Sequence, residues 1–178
     1  MNLDNPLITD RLLLRMMSDA DATDTYLAWM QNPEVNRFLE SRFFTPNNTQ
    51  DLINFIESNN ASLDSLLLGI FLREDCRHIG NIKIGPLVRR HARSEIGYLI
   101  GDRSAWGKGY ATEAILRICR YGFEELGLAK ISAGVYESNI GSSNALLKAG
   151  FTHEATITSD VIFEGRRINS KLYSLISD

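Results

Sequence analysis

The sequence predicts an α/β protein with a mixed sheet, and three observations carry that prediction. Apolar and amphipathic runs follow in the order strand, helices, three-strand antiparallel meander, helix, strand, helix and terminal hairpin, unlike a regular βαβ alternation. A strand-like run, Glu95-Ile96-Gly97-Tyr98-Leu99-Ile100, feeds the glycine-rich turn Trp106-Gly107-Lys108-Gly109, which opens a helix-like run. A later helix-like run ends on Gly150-Phe151, a glycine and a trailing hydrophobe.

Leu12-Leu13-Leu14-Arg15-Met16 reads as the first strand. Ser18 or Asp19 then caps a helix with Ala22, Tyr26, Trp29 and Met30 at helical spacing. Asn32-Pro33 breaks it, and a short helical piece runs from Glu34 to Leu39. Pro46-Asn47-Asn48-Thr49 starts a helix to about Asn59, with Leu52, Ile53, Phe55 and Ile56 as its apolar set. Leu66 to Leu72 is a near-continuous apolar strand, Asp75 marks a turn, and His78 to Gly85 alternates imperfectly. Arg89 to Arg93 reads as a hairpin tip before the Glu95–Ile100 strand.

After the glycine turn, Ala111, Ala114, Ile115, Ile118, Cys119, Phe123 and Leu126 form one helical stripe, with Gly127 as C-cap. Ile131 to Tyr136 is a strand, and Ser142 or Ser143 caps a helix carrying Ala145, Leu146 and Ala149. Two strands close the chain, about Thr152 to Phe163 with a break and Ile168 to Ile176, joined at Glu164-Gly165.

Size and composition narrow the function classes. The 178 residues suit one domain, 1–178, with a sizeable core. With 44% apolar and 23% charged residues the composition is that of a soluble globular protein. A net charge of −3 argues against nucleic acid as the main partner. Met1 to Pro6 lacks a signal pattern, and no apolar run approaches about 18 residues, so no membrane partner is expected and the cytoplasm is the expected location. Cys76 and Cys119 form no disulfide framework and are expected to be buried hydrophobes. His78, His91 and His153 have no metal-like spacing, so no metal is expected.

A glycine turn at a helix N-terminus is a phosphate-binding device, because free N–H groups and the helix dipole meet a close-approaching anion. A dinucleotide fingerprint fits poorly: Thr112 stands at the third glycine position and the turn lies mid-chain after a meander. No P-loop Gly-Lys-Ser/Thr and no Gly-x-Ser-x-Gly elbow is present.

Gly109-Tyr110-Ala111 in this setting resembles the acyl-CoA pyrophosphate loop of the GNAT superfamily of N-acetyltransferases, Gln/Arg-x-x-Gly-x-Gly/Ala. Asn139-Ile140-Gly141-Ser142, followed by Ala145-Leu146-Leu147-Lys148-Ala149-Gly150-Phe151, resembles that family's Asn-x-x-Ser helix. Thr9-Asp10-Arg11-Leu12-Leu13-Leu14-Arg15 is similar to the start of the Rim branch, named for its ribosomal-protein acetyltransferases. The resemblance spans nearly the whole chain. Two positions depart from it: Trp106 replaces the general Gln/Arg, as is common in the Rim branch, and Asn169 stands where that branch often has aspartate.

The resemblance implies a GNAT fold: a central, mostly antiparallel mixed sheet of about seven strands flanked by helices and splayed between the fourth and fifth. It also implies acetyl-CoA as cosubstrate, with the pantetheine arm in the splay against the backbone of Leu99 and Ile100. Gly107, Lys108, Gly109, Tyr110, Ala111 and Thr112 would cradle the pyrophosphate. Asn139 would contact the cofactor arm, or is a helix-entry Asn. Direct attack by an amine needs a base; Glu95 is the candidate, or is an exposed strand-end carboxylate, with a water relay as the alternative. Ser142 would protonate the leaving thiolate, or cap a helix, and Tyr136 is a second candidate acid.

The Arg89-Arg90-His91-Arg93 cluster is either a solvated tip or an anion-recognition site. The acceptor is a protein N-terminal α-amine, an amino sugar, or a small polyamine or antibiotic; a protein acceptor needs an open groove and a sugar a closed polar pocket. A homodimer is allowed. A non-catalytic acyl-CoA sensor is the competing function, and a purely structural domain a further one.

Overall fold

Eight strands pair in the order β1-β2-β3-β4-β5-β6-β8-β7 in the computed structural model, which describes residues 1–177. The strands are β1 (Leu7–Ile8), β2 (Leu12–Met16), β3 (Leu66–Leu72), β4 (His78–Ile84), β5 (Arg93–Ile100), β6 (Lys130–Tyr136), β7 (Thr152–Phe163) and β8 (Arg166–Ile176). The helices are α1 (Asp24–Gln31), α2 (Pro33–Asn36), α3 (Thr49–Asn60), α4 (Tyr110–Glu124) and α5 (Ile140–Lys148). The sheet is the mixed, mostly antiparallel one expected, with one strand more. β1 has two residues, too few to show any alternation.

β5 and β6 are the sole parallel neighbours among the described strands, and they pair at three positions: Arg93↔Lys130, Ser94↔Ile131 and Glu95↔Ser132. Residues 96–100 and 133–136 continue without laddering to each other, so the sheet splays between the meander and the C-terminal strands. Each strand keeps its outer partner, β4 for β5 and β8 for β6, so each has one ladder intact.

Two cores lie on opposite faces. Leu66, Leu68, Ile70 and Leu72 of β3 point towards Ile115 and Ile118 of α4, while Leu67 joins Tyr26, Leu52 and Ile56 beneath α1 and α3. β3 reads as a continuous apolar run because it is buried on both faces. The imperfect alternation of β4 is a bulge: Ile70 pairs with Gly80 and Phe71 with His78, leaving Ile79 extra. Ile79 and Ile82 thus both reach the α4 core. β7 is an unbroken strand with two such irregularities rather than two pieces.

Several local expectations need correction. The helix expected from Ser18 is a 3₁₀ turn, Asp19–Asp21, followed by a separate helix capped by Thr23, whose Oγ1 accepts from the Tyr26 N–H at 3.2 Å. The break follows from Asp21, whose carboxylate turns back to the Ser18 N–H at 2.8 Å and takes two hydrogen bonds from Arg15 at 2.8 and 2.7 Å. The Glu34–Leu39 piece is shorter, Pro33–Asn36 capped by Asn32, and a second 3₁₀ turn covers Glu40–Phe43. Neither Ser142 nor Ser143 caps α5; Asn139 does, its Oδ1 accepting from the Ser142 N–H at 3.1 Å. α4 ends at Glu124, with Gly127 (φ 65°) past its cap. Cys119 is buried, but Cys76 is exposed in the β3–β4 turn.

Ile118 is fully buried between α4 and the sheet. Ile118→Ala should lower stability by about 2–5 kcal/mol through lost contacts and a residual cavity. In urea unfolding this appears as a lower midpoint at unchanged slope.

Candidate functional site

Three cavities meet where β5 leaves β6: a groove of about 640 Å³ over the α4 and α5 N-termini, a cavity of about 320 Å³ between the parted strands, and a pocket of about 760 Å³ against α3. Tyr98 and Leu39 line all three. Alternation along β5 explains the division. Ile96, Tyr98 and Ile100 face the α4 core, whereas Leu99 packs with the α1–α3 core.

The groove begins at the turn after β5. Gly107 (φ 73°) and Gly109 (φ 83°) are left-handed, a conformation that disfavours L side chains. A Cβ at Gly107 would meet nothing within 4 Å, and one at Gly109 would meet only Arg11 Nη2, at 3.6 Å. The glycines therefore serve the turn and leave open space in front of it. The Trp106 indole donates to the Ile100 carbonyl at 2.7 Å and folds the loop onto the strand. Glu113 N–H makes a helix-type bond to Gly109 O at 3.1 Å, so the Tyr110, Ala111 and Thr112 N–H groups lead α4 as its orphan donors.

Chain far from the loop braces it. Arg11 bridges from the β1–β2 turn, its Nη1 donating to Lys108 O at 3.0 Å and its Nε to Glu113 Oε2 at 2.6 Å. Thr9 Oγ1 and the Arg11 N–H both donate to Glu113 Oε1, at 2.6 and 2.9 Å, and the Arg11 guanidinium lies over the Tyr110 ring at 4.6 Å. Partial burial pushes the Glu113 carboxyl up, but these hydrogen bonds and the Arg11 charge outweigh it and hold it below its ordinary value.

Ser142 lies in the first turn of α5, its backbone N–H already taken by Asn139, which frees its hydroxyl for other work. That hydroxyl shares a 2.5 Å hydrogen bond with the Tyr98 hydroxyl. Burial pushes the Tyr98 phenol up to about 12 against the lowering effect of that bond. Tyr136 is engaged elsewhere: it donates to Glu40 and accepts from Arg42 Nη2 at 2.8 Å. Burial and the Glu40 carboxylate raise its phenol despite Arg42. Phe38 and Phe163 close the cluster. Asp160, from β7, lines the small cavity and accepts from Ser170 Oγ at 2.5 Å.

The largest pocket has apolar walls from Met30, Leu52, Phe55 and the rim residue Phe44. Its charged lining residues are Asp51, Lys83 and Glu95. Asn81 and Tyr26 also line it, and both contact the half-buried His78.

Leu99, Ile100, Gly107, Gly109, Tyr110, Ala111, Thr112, Asn139 and Ser142 thus converge on the one groove. The Lys108 side chain does not line it, and its carbonyl is held by Arg11. Glu95 faces the α3-side pocket and Tyr136 the cavity between the strands. The Arg89–His91 turn and Arg93 contribute to none of these cavities. Asn169 accepts from the Ser159 N–H at 3.0 Å and shapes the bulge in β7. Tyr98 was not singled out in the sequence, although a hydroxyl-bearing residue between Ile96 and Ile100 on one side of a strand was a signal for it. Arg11 and Glu113, 102 positions apart, carried no local signal of their pairing. No cluster of three or more metal-ligating side chains occurs among the described residues, and none of their helices is long and apolar enough to cross a membrane.

A carboxylate held below its ordinary value stabilises the fold fully above the unfolded pKa, and that contribution disappears as pH falls through the folded one. Glu113→Gln should therefore be less stable than the parent at neutral pH. The difference should shrink as pH drops below 4.5, the ordinary glutamate value. Thermal unfolding of both proteins across pH 3–7 checks this, and a pH-independent gap would contradict it.

Residues 11–152 match the model of the GNAT acetyltransferase domain. The chain is 34% identical over 175 residues to an uncharacterized N-acetyltransferase, YoaA, of Bacillus subtilis, covering 96% of both chains. Its fold matches a GNAT-family acetyltransferase from Bacillus anthracis with a TM-score of 0.82 at 21% identity, over 96% of this chain and 98% of that one. It also matches RimL, a ribosomal L7/L12 α-N-protein acetyltransferase solved with coenzyme A, with a TM-score of 0.86 at 14% identity, over 98% and 99%. With the parted strands, the open glycine turn and the Asn139-capped helix, these matches show that the chain belongs to the GNAT family and is an acetyl-CoA-dependent N-acetyltransferase.

Proposed function

We propose that the chain acetylates the α-amine of an apolar-bodied acceptor, a peptide or protein N-terminus in preference to an amino sugar. The observation that carries this reading is the α3-side pocket. Its walls are predominantly apolar and aromatic, and it opens on the same Tyr98–Leu39 junction as the groove. Any sugar hydroxyl buried against the walls formed by Met30, Leu52 and Phe55 would be left unpaired, at a cost for each such group. The basic hairpin, which would suit a nucleotide-linked sugar, lies away from the pocket. RimL, by its description, acts on a protein α-amine.

The groove suits coenzyme A on its own geometry. The turn at Gly107 and Gly109 leaves room for a pyrophosphate, and the Tyr110, Ala111 and Thr112 N–H groups and the α4 dipole complement its charge. The Leu99 backbone is paired with Asn81 of β4, so of the two expected residues Ile100 turns its backbone to the splay, where no β6 partner competes for its N–H and its carbonyl accepts from Trp106. A glycine at position 80 lets β4 approach the Leu99 carbonyl, since a Cβ there would collide with that oxygen. Acetyl-CoA supplies a thioester whose carbonyl carbon an amine attacks, a C–N bond forming as the C–S bond breaks.

The chain's own residues manage two protons. Glu95, in the acceptor pocket, is the candidate to accept the amine proton, directly or through water. Ser142 Oγ donates its proton to the departing sulfur and is reprotonated from solvent, while the Tyr98 hydroxyl, kept protonated by burial, stays hydrogen-bonded to Oγ and holds it in place. Tyr136 is a weaker candidate because Glu40 and Arg42 hold its hydroxyl. Asn139 acts first through Ser142, whose N–H it caps.

The deciding experiment supplies acetyl-CoA with peptides, amino sugars, polyamines and aminoglycosides, and reads thiol release and product mass. Acetylation of apolar-start peptides ahead of the sugars is expected. Tight coenzyme A binding with no turnover on any acceptor would favour a sensor. Gly109→Val should raise the acetyl-CoA KM steeply by strain and by filling the cradle, and an unchanged KM would remove the loop assignment. Ser142→Ala should cut kcat by roughly 10²-fold with little change in coenzyme A affinity. An unchanged kcat would leave Ser142 a structural partner of Tyr98.

A further inference from the structure

We infer that the acceptor carries a carboxylate that pairs with Lys83, so that the substrate is an apolar α-amino compound anchored at both ends. The inference rests on the acceptor pocket proposed above. Lys83 sits in β4 between Ile82 and Ile84, both buried in the α4 core, so its side chain emerges on the opposite face, in the pocket. Its cross-strand partner on β5 is Gly97, which offers no side chain to cover or pair with it. It is half-buried and is the sole cation among the residues lining the pocket.

Two carboxylates share the pocket, Asp51 and Glu95, and neither forms an ion pair with Lys83. Asp51 is instead turned to its own loop, accepting from the Asn47 N–H at 2.8 Å. A half-buried lysine in an apolar-walled pocket, with no ion pair among the described residues, is free to anchor an incoming anion by a charge-assisted hydrogen bond. The net lining charge selects the kind of anion. One cation against two carboxylates disfavours a phosphate dianion and suits a monoanionic carboxylate whose own amine offsets Glu95. The exposed Phe44 at the rim and Phe55 on α3 would cover the apolar side chain between the two charged ends.

Paired acceptors test this. Free L-phenylalanine is compared with its amide, and an amidated Phe-Ala-Glu-Ala peptide with its Phe-Ala-Gln-Ala counterpart. The parent protein should favour the carboxylate member of at least one pair by roughly tenfold in kcat/KM, the scale of one charge-assisted hydrogen bond. The first pair reports a free amino acid and the second an acidic peptide. Lys83→Met should collapse that preference towards unity, and Lys83→Arg should restore most of it. Equal use of both members by the parent would overturn the inference while leaving N-acetyl transfer intact. So would a Lys83→Met protein that loses both members in equal proportion. Absence of acetylated product from every amine would overturn it together with the acceptor reading.

Discussion

A parallel strand pair that stops after three positions is the constraint on which the rest of this structure depends. Pairing between β5 and β6 ends at Glu95 and Ser132, and beyond it each strand keeps one satisfied edge and one open edge. Open backbone edges inside a protein need partners, and a linear molecule with its own amides is a natural one. The gap also separates the meander from the C-terminal hairpin, so residues from both halves can face one space. Groove, inter-strand cavity and α3-side pocket are three sides of that one opening, joined at Tyr98 and Leu39.

The opening is held by contacts at its margins. On the groove side, Thr9 and Arg11 grip Glu113 and the Lys108 carbonyl, tying the first turn of α4 to the β1–β2 turn. On the other side, Arg42 donates to Tyr136 and to the Ile162 carbonyl at 3.1 Å, joining the segment after α2 to β6 and β7. Arg37 and Glu164 add an exposed pair at 3.2 Å, which contributes little by itself but lies beside the stacked Phe38 and Phe163 rings. Both margins therefore rely on arginines with several simultaneous acceptors, which suits a planar guanidinium better than a lysine.

The chemistry inside the opening is divided by strand alternation. Tyr98 looks towards α5 and meets Ser142, while Glu95, three residues earlier on the opposite face of the strand, lines the α3-side pocket. The proposed donor for the leaving group and the proposed acceptor for the amine proton thus stand on opposite sides of one strand. Asn139 makes this possible by capping α5 itself and releasing the Ser142 hydroxyl from that duty.

The sequence by itself determined the main order of strands and helices, the continuous apolar run of β3, the glycine-rich turn at Gly107 and Gly109, and the family to which the chain belongs. These are local properties: periodicity, caps and glycine conformations are written within a few consecutive residues. It also marked most of the groove, because a strand, a turn and a helix start adjacent in sequence stay adjacent in space. Tertiary structure alone decided what required distant segments to meet. Arg15 holds the Asp21 carboxylate at the turn after Ser18, and Tyr98 takes the Ser142 hydroxyl while Asn139 caps α5. The latch of Arg11 on Glu113, the capture of Tyr136 by Glu40 and Arg42, and the placement of Lys83 in an apolar-walled pocket have no short-range signature. A charged or hydroxyl side chain has many candidate partners along a chain, and only packing of the two cores against the sheet selects among them.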